Sequence, residues 1–350
     1  MAKLDLASSE WCQLIFEGKN QAYGAYRMRA NSTKRHNVAM LIVVVIAAVG
    51  FSIPTLLKLA TPEQKEVMTE VTTLSKLEEP EIKELIKEIA INGVWDKSDS
   101  ILPRTRYSDG GVAYSKSVFG VQVKFEQGEI PLLTSKRVFT TTAINEMICI
   151  WIKRTSIVKD FQDMKVNVWN EWEMSDGSLG ESYAYQLNKT NNQGRNQVDQ
   201  LLYDIKHSPL SRRLMTCYWD FENAHNKALQ ECAWFTQWNV RNGSLDLLLG
   251  QRSGDLGLGV CFNWFQYYIL QMLVAKVSGL KVGTFTHQIG NLHYYDRHED
   301  VLLEQLNLLE YEQPNIYIKD TVSDFYQFTA DDIIIENYKH GKYLPMEVAI

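Results

Sequence analysis

The sequence is short of what several common function classes need. Basic charge is in deficit, with 36 Lys and Arg against 42 Asp and Glu and a net charge of -6. Such a balance does not make the broad cationic surface of a nucleic-acid binder, so the adjacent Arg212 and Arg213 must be judged as a local site. Cysteine is sparse. Cys12, Cys149, Cys217, Cys232 and Cys261 are odd in number and contain no C-x-x-C. Neither a disulfide framework nor a zinc site is indicated, no metal is expected, and reduced thiols follow, one of which can serve as a nucleophile. Phosphate-loop signatures are also missing. The glycine-rich stretch QRSGDLGLGVCFN, residues 251–263, fits neither G-x-G-x-x-G nor G-x-x-x-x-G-K-[ST]. There is no internal repeat and no low-complexity tract.

What the chain does have, unusually, is a 21-residue run without charge between His36 and Lys58, NVAMLIVVVIAAVGFSIPTLL. A bilayer core needs ~20 apolar residues as helix, so residues 37–58 read as a transmembrane helix, with a buried core helix as the competing reading. Thirty-six residues precede the run, too many for a cleaved signal peptide. Arg27, Arg29, Lys34 and Arg35 lie before it, and Lys58 and Lys65 are the nearest positive charges after it. The positive-inside bias puts the stub, residues 1–36, in the cytoplasm.

Residues 59–80 are polar and acidic and read as a linker. The texture changes at Glu81. EIKELIKEIAINGVW places apolar residues at 82, 85, 86 and 89, an amphipathic helix stopped by Asn92 and Gly93. Strand patterns then appear in SVFGVQVKF, LMTCYW, AWFTQWNV, SLDLLL and NIYIK. Helical periodicity appears in TTAINEMICIWIK, QVDQLLYDIK and FNWFQYYILQMLVAKVSG. Strands without regular crossover helices make this an α+β chain, with residues 81–350 as its folded domain.

Chemistry can be placed on a few side chains. Cys232 opens an apolar, aromatic strand. At a strand end it can face a cavity where an arginine favours the thiolate, or it can be a small buried side chain. Cys149 and Cys217 sit inside apolar runs and read as packing. Arg252 and Ser253 offer a guanidinium fork and a hydroxyl suited to a phosphate monoester, and Arg212 and Arg213 form a second pair; solvated surface charge is the alternative for both. Asn263 carries a donor and an acceptor, as reading a pyrimidine edge requires. Asp255 in its glycine-rich setting is equally an ordinary turn residue. His293 and Tyr295 alternate on one strand face, to bind a sugar or to pack.

From about Glu81 to Ile350 the chain resembles thymidylate synthase. IPLLTSKRV, NEMICIW, VWNEW, DGSLGESYAYQL, LSRRLM, ALQECAWFTQW, QRSGDLGLGVCFN, GNLHYYDRH and a terminal VAI follow in family order. The resemblance implies an α+β thymidylate synthase fold with a large mixed sheet flanked by helices. It implies that dUMP is methylated to dTMP with 5,10-methylenetetrahydrofolate as co-substrate, giving dihydrofolate. Cys232 matches the nucleophile that adds to C6 of dUMP. Glu146 matches the carboxylate that manages protons through water, and Tyr183 the phenol near the C5 proton. Arg104, Gln251, Arg252, Ser253, Asn263, His293 and Tyr295 match the dUMP site, with Arg252 and Ser253 on the phosphate. Trp169, Trp172, Asp255 and the carboxylate of Ile350 match the folate side. Arg212 and Arg213 match arginines that reach the partner subunit's phosphate, which implies a homodimer and no nucleic-acid partner.

Three departures stand out. Where the family has Pro-Cys-His, this chain has Glu231, Cys232 and Ala233, and a carboxylate beside a thiolate is expected to disfavour ionisation. The mobile arginine loop reads RTRYSDGG, and Asn291 precedes the ribose histidine region where the family has Asp. Each departure bears on rate more than on reaction type. A nucleotide hydroxymethylase of the same family is the alternative activity, and an inert synthase domain on a membrane anchor the alternative class; Asn263 favours uracil over cytosine. Residues 1–80 are similar to the N-terminus of TonB-like energy transducers of Bacteroidetes, which implies a single-pass inner-membrane anchor. The charge rule then sends the synthase outward, whereas its substrates imply the cytoplasm. A different topology, a recent join or a soluble form starting at Met68 each resolves the opposition.

Overall fold

The computed structural model describes residues 8–19, 21–22, 24–31, 34–44, 72–74, 80–98, 100–222 and 224–350. They fall in two compact units, Met1–Glu70 and Val71–Ile350. In the first, Ser8 caps α1 (Ser9–Ile15) by accepting a hydrogen bond from the Trp11 N–H at 3.2 Å, satisfying one of the free donors of the first turn. Cys12 is buried, and Phe16 meets Tyr26 of α2 (Ala25–Ala30) edge to face at 5.6 Å. Residues 34–44 form a third helix, α3, whose Val38, Met40, Leu41, Ile42, Val43 and Val44 are exposed. Among the described residues no helix is long and apolar enough to cross a membrane. The remainder of the expected span, residues 45–58, lies outside the described residues.

The second unit opens with β1 (Thr72–Leu74), a strand inside the stretch read from sequence as linker. Next comes α4 (Pro80–Asn92), whose Ile82, Leu85, Ile86 and Ile89 are buried as the 3–4 spacing requires. β2 (Val94–Trp95) and β3 (Ser115–Phe125) follow. α5 (Thr140–Met147) runs into a π-helical turn, Ile148–Lys153, where the sequence pattern suggests one uninterrupted helix. α6 (Val158–Asp163), α7 (Tyr183–Asn188) and α8 (Gln197–His207) lead to β4 (Met215–Cys217). Then come β5 (Ala233–Arg241), β6 (Ser244–Asp255), α9 (Gly259–Val277) and β7 (Lys281–Tyr295). α10 (Glu299–Gln305) and an antiparallel pair, β8 (Asn315–Ile318) with β9 (Ile333–Glu336), complete the unit.

The main sheet has the order β1-β3-β7-β6-β5-β4, with β2 also paired to β3. It is mixed: β5 and β6 form an antiparallel hairpin, while β6 and β7 run parallel with α9 as their crossover. Leu245, Leu247 and Leu249 of β6, Phe285 and Ile289 of β7, and Val121, Val123 and Phe125 of β3 are buried on one face with the period of two that a strand imposes. α9 packs there. It is apolar on all sides because it is the centre of the core, with Trp264, Phe265, Ile269, Leu270 and Leu273 fully buried. Each such side chain contributes roughly 1.5–3 kcal/mol by leaving water. The alternate residues Asn239, Leu248, Gln122, Thr286 and Gln288 are exposed or half-buried, so the other face is left open in this chain.

The register of β5 shifts between Ala233 and Phe235. The cause is visible at Gly250, where an added Cβ would lie 1.8 Å from the Phe235 ring. Phe235 therefore rests on bare backbone, and the bulge turns the start of β5 relative to the end of β6. Those two strand ends carry Cys232, Gln251 and Arg252.

Candidate active site

Cys232 immediately precedes β5 and is fixed on both sides of its peptide. Its N–H donates to the Tyr183 hydroxyl at 2.8 Å, and its carbonyl accepts from the Arg252 N–H at 2.8 Å. The Arg252 side chain folds back over the same segment. Its Nε donates to the Glu231 carbonyl at 2.8 Å and its Nη2 to the Gln230 carbonyl at 2.9 Å. The guanidinium remains exposed, and the thiol is half-buried. Burial pushes the Cys232 thiol up, the Arg252 charge opposes it, and Asp255 and Glu231 add smaller upward pushes.

The expected discomfort of Glu231 beside the thiol is present as a small upward push, and the carboxylate has a partner far less conspicuous in the sequence. The Lys227 ammonium lies 2.9 and 3.1 Å from the two carboxylate oxygens of Glu231, and both side chains are 1% exposed. Glu231 turns away into its own ion pair.

The stretch 251–263 is not a loop throughout. Its first five residues end β6, a turn follows at 256–258, and α9 begins at Gly259. The parallel register sets Ser253 against Asn291 and Asp255 against His293, so the hydroxyl, carboxylate and imidazole collect at adjacent strand ends. Asp255 accepts from the Gly257 N–H at 2.8 Å and lies 3.8 Å from Nδ1 of His298. Burial alone would raise its carboxyl; His298, His293 and the Gly257 N–H more than reverse this and hold it below the ordinary carboxylate range. Space is tight at Gly257, where a Cβ would lie 2.8 Å from the Met346 sulfur and 3.0 Å from Nδ1 of His298. His293 is buried, with Nδ1 2.9 Å from Oδ1 of Asn291, and burial pulls it below its ordinary value. Its ring meets Tyr295 at 5.2 Å. Burial, with the nearby Asp255 and Cys232, raises Tyr295 to about 12.

On the other side of Cys232 stands an aromatic wall. Tyr183 packs against Trp169 at 5.8 Å, and Trp169 against Trp172 at 5.9 Å. Trp169 is buried and donates its indole N–H to Oε1 of Glu146 at 2.8 Å; Gln266 of α9 donates to Oε2 at 3.1 Å. Burial raises Glu146 to about 7, although both hydrogen bonds favour the ionised form. Such a carboxyl exchanges protons near neutrality.

The C-terminal segment lies along the loop that carries Arg104. The backbone of Ile350 pairs with that of Arg106 through two hydrogen bonds of 2.6 and 2.7 Å. Glu347 accepts from Ser108 and from Arg297, and His298 donates its Nε2 proton to the Glu347 carbonyl at 2.7 Å. Arg104 itself is exposed. Asn263 is half-buried in the first turn of α9. Arg212 and Arg213 are exposed and lie apart from this cluster. They precede β4, whose Met215 pairs with Gln237, four residues along β5 from Ala233, roughly 13 Å at ~3.3 Å per residue. Among the described residues no group of three or more His, Cys, Asp or Glu is placed to hold a metal.

Several supporting residues have no distinctive sequence signal. Trp264 donates its indole N–H to Nδ1 of His287 at 2.9 Å, which puts the His287 proton on Nε2. Nε2 is 3.0 Å from Oε1 of Gln251, whose amide nitrogen donates to the Ser253 carbonyl at 2.8 Å. This buried relay fixes the imidazole tautomer, the Gln251 amide and the Ser253 backbone together. Burial holds His287 down at about 3, so it stays neutral.

Comparison with known proteins matches two separate stretches of the chain. The family model "Thymidylate synthase" matches residues 81–350, and "TonB-like single transmembrane helix" matches residues 2–58. The thymidylate synthase of Bacillus licheniformis is 39% identical over 264 residues, 74% of this chain and 94% of that one. Thymidylate synthase 1 of Bacillus subtilis is 40% identical over the same shares. The solved structure of thermostable thymidylate synthase A from Bacillus subtilis covers 77% of this chain and 99% of its own, at 40% identity and a TM-score of 0.73.

Proposed function

The chain belongs to the thymidylate synthase family, and from that premise we propose which of its groups carry the reaction and how. It is a methyltransferase that makes thymidylate. The substrate is dUMP, and 5,10-methylenetetrahydrofolate supplies the one-carbon unit and the hydride that reduces it. The Cys232 thiolate adds to C6 of the uracil, which makes C5 a carbon nucleophile, and Cys232 leaves again once the methyl is complete. Arg252 has two duties: its charge favours the thiolate, and its exposed guanidinium, with Ser253 and Arg104, receives the nucleotide phosphate, while the buried Gln251 holds the Ser253 backbone in place.

Asn263 accepts from uracil N3–H and donates to O4, while His293 and Tyr295 hold the ribose. Glu146, poised near neutrality, passes protons through water at the uracil O4 side, and Tyr183 stands at the C5 proton. The donor set suits a reduced folate. Trp169 and Trp172 offer a flat apolar wall, the ionised Asp255 offers an acceptor for ring N–H groups, and the Ile350 carboxylate is the closing group of the C-terminal strap.

Arg212 and Arg213 are exposed at the edge of the sheet, just before β4, and among the described residues none of their hydrogen bonds or ion pairs joins them to the Cys232 cluster. This supports a homodimer in which each subunit's pair binds the partner's phosphate. Residues 37–58 anchor the chain at a membrane, and the substrates require the synthase unit to face the cytoplasm.

The observation that carries this reading is the convergence on Cys232 of Arg252, Tyr183 and Asp255, with Glu146 behind Tyr183. Turnover of dUMP and methylenetetrahydrofolate by the full-length chain, followed by dihydrofolate absorbance and product mass, tests it. Hydroxymethyl-dUMP without dihydrofolate would overturn it in favour of a hydroxymethylase.

A further inference from the structure

Glu231 is the residue on which this chain departs most sharply from its family pattern. It adjoins the nucleophile, and it is fully buried. A carboxylate removed from water needs a partner, and the partner here is Lys227, also buried. The spacing of four suggests a helical pair, but Lys227 sits in an isolated β-bridge and residues 228–231 are bend and loop. The pair therefore closes a small loop whose last link is Cys232.

That loop is also tied to the element carrying Tyr183. Lys227 bridges Gly180, the Glu181 N–H donates to the Asn226 carbonyl at 2.9 Å, and the Ala228 N–H donates to the Leu179 carbonyl at 3.3 Å. Gly180 has φ +71°, and a Cβ there would lie 2.4 Å from the Asn226 carbonyl oxygen and 2.9 Å from the Lys227 Cα. No larger residue fits without moving the loop. At its far end Arg252 holds the carbonyls of Gln230 and Glu231, and Tyr183 takes the Cys232 N–H.

We propose that Lys227 and Glu231 are a neutralised positioning pair for the nucleophile: the ammonium cancels the carboxylate beside the thiol, and the closed loop fixes the orientation of Cys232 toward the substrate. The proposal rests on the reading of Cys232 as nucleophile. The charged groups that face this thiol are Arg252, Asp255 and Glu231, and the Tyr183 and Tyr295 hydroxyls stand nearby. Arg252 and Asp255 are common to all the variants below, so a change in thiol ionisation between them reports the 227–231 pair.

The experiment uses the full-length chain and two readouts. One is the rate of Cys232 alkylation by iodoacetamide against pH, read by peptide mass. The other is kcat and KM for dUMP. Lys227→Met leaves a buried carboxylate unmatched, so the alkylation profile should move alkaline by about one pH unit, and kcat should fall on the order of 10-fold with KM little changed. Glu231→Gln leaves the ammonium and should move the profile acid-ward. The double variant Lys227→Met with Glu231→Gln should return the profile to that of the parent, and Lys227→Arg should keep it.

Should Lys227→Met not fold, Glu231→Gln and the double variant decide, since neither buries a lone carboxylate. Parent-like profiles in Glu231→Gln and in any folded Lys227→Met would overturn the proposal, leaving the pair a fold constraint that shows only in Tm. The premise fails separately: turnover retained in Cys232→Ser would remove the nucleophile assignment whatever the profiles show.

Discussion

Two glutamates are buried around the Cys232 corner, Glu231 beside the thiol and Glu146 behind Tyr183 and Trp169, and they have opposite surroundings. Glu231 meets an ammonium at 2.9 Å. Glu146 meets only neutral donors, the Trp169 indole and the Gln266 amide. The first has a counter-charge at its side. The second is desolvated without one, and it rises to about 7. Burial is common to both, and what differs is the partner: an ammonium for Glu231, neutral donors for Glu146, whose carboxyl is the one that burial raises. On this view the aromatic wall around Glu146 does more than pack: by excluding both water and cations, it leaves the carboxyl titratable at the working pH.

The largest effect comes from removing the thiol between the two. Cys232→Ser should lower kcat by about 10⁴-fold or more, because a serine hydroxyl has no local base here to replace a thiolate. Cys149→Ser should leave turnover nearly intact, since that thiol is buried in the π-helical turn that follows α5 and is raised to about 12 by burial. A covalent adduct with fluoro-dUMP and folate, seen by intact mass, should appear in the parent and in Cys149→Ser and be missing in Cys232→Ser. An adduct that persists in Cys232→Ser refutes the assignment.

Next in size is Glu146→Gln, which makes the titrating member permanently neutral. Proton transfer by a positioned side chain is worth ~10²–10⁴-fold, so a loss of that order in kcat is expected. The same substitution has a stability signature whose sign follows from the raised carboxyl. In the folded chain Glu146 holds its proton to about 7, whereas unfolded it releases it near the ordinary 4.5. Its contribution to stability is therefore complete below the ordinary value and is lost as pH rises through 7. Between pH 5 and pH 8 the parent should lose up to roughly 3 kcal/mol relative to Glu146→Gln, an upper figure from ~1.4 kcal/mol per pH unit. Urea unfolding of both proteins at the two pH values measures it; a constant difference would show that Glu146 is ionised throughout.

How much of this contrast can be read before folding differs between its two halves. The amphipathic pattern of α4, the long apolar α9 and the alternating strands were legible because each buries one face, or all faces, with a period that survives in the sequence. The site residues were legible through motifs whose order carries the family resemblance. The Lys227–Glu231 pair was not, because a spacing of four outside a helix says nothing about burial. The relay of Trp264, His287 and Gln251 was hidden for a related reason: a histidine on the inward face of a strand is indistinguishable in sequence from any other polar residue at an edge. The π-helical turn at 148–153 and the pairing of residues 72–74 with β3 are set by tertiary contact and have no local signature.

A smaller effect sharpens the contrast from the specificity side. Asn263 is the neutral polar group on α9 proposed to read the base. Asn263→Asp replaces its donor with acceptors alone, which suits the cytosine amine and sets a carboxylate oxygen against the uracil O4, while N3–H still finds an acceptor. The ratio of kcat/KM for dUMP over dCMP should fall by a few kcal/mol at most, on the order of two buried hydrogen bonds. Steady-state kinetics with both nucleotides decide it, and an unchanged ratio would remove Asn263 from base recognition.

The smallest expected effect concerns the side chain that joins the two corners. Tyr183 packs its ring on Trp169, the donor to Glu146, and places its hydroxyl on the Cys232 N–H. Tyr183→Phe keeps the ring and deletes only the oxygen. The loss should be roughly 10-fold in kcat, about the worth of one hydrogen bond, with the fold intact. The informative quantity is its coupling to Glu146. If Tyr183 acts only by holding Cys232, the effects of Tyr183→Phe and Glu146→Gln should multiply. If the phenol takes part in the same proton transfer that Glu146 manages, removing it from a chain already lacking Glu146 should cost much less. The packing of the Tyr183 ring on Trp169, which donates to Glu146, favours the second outcome, with the double variant no more than about 3-fold worse than Glu146→Gln alone. Full multiplication in kcat, measured at a pH where the parent is maximal, would confine Tyr183 to the nucleophile's corner and leave Glu146 to work through water without it.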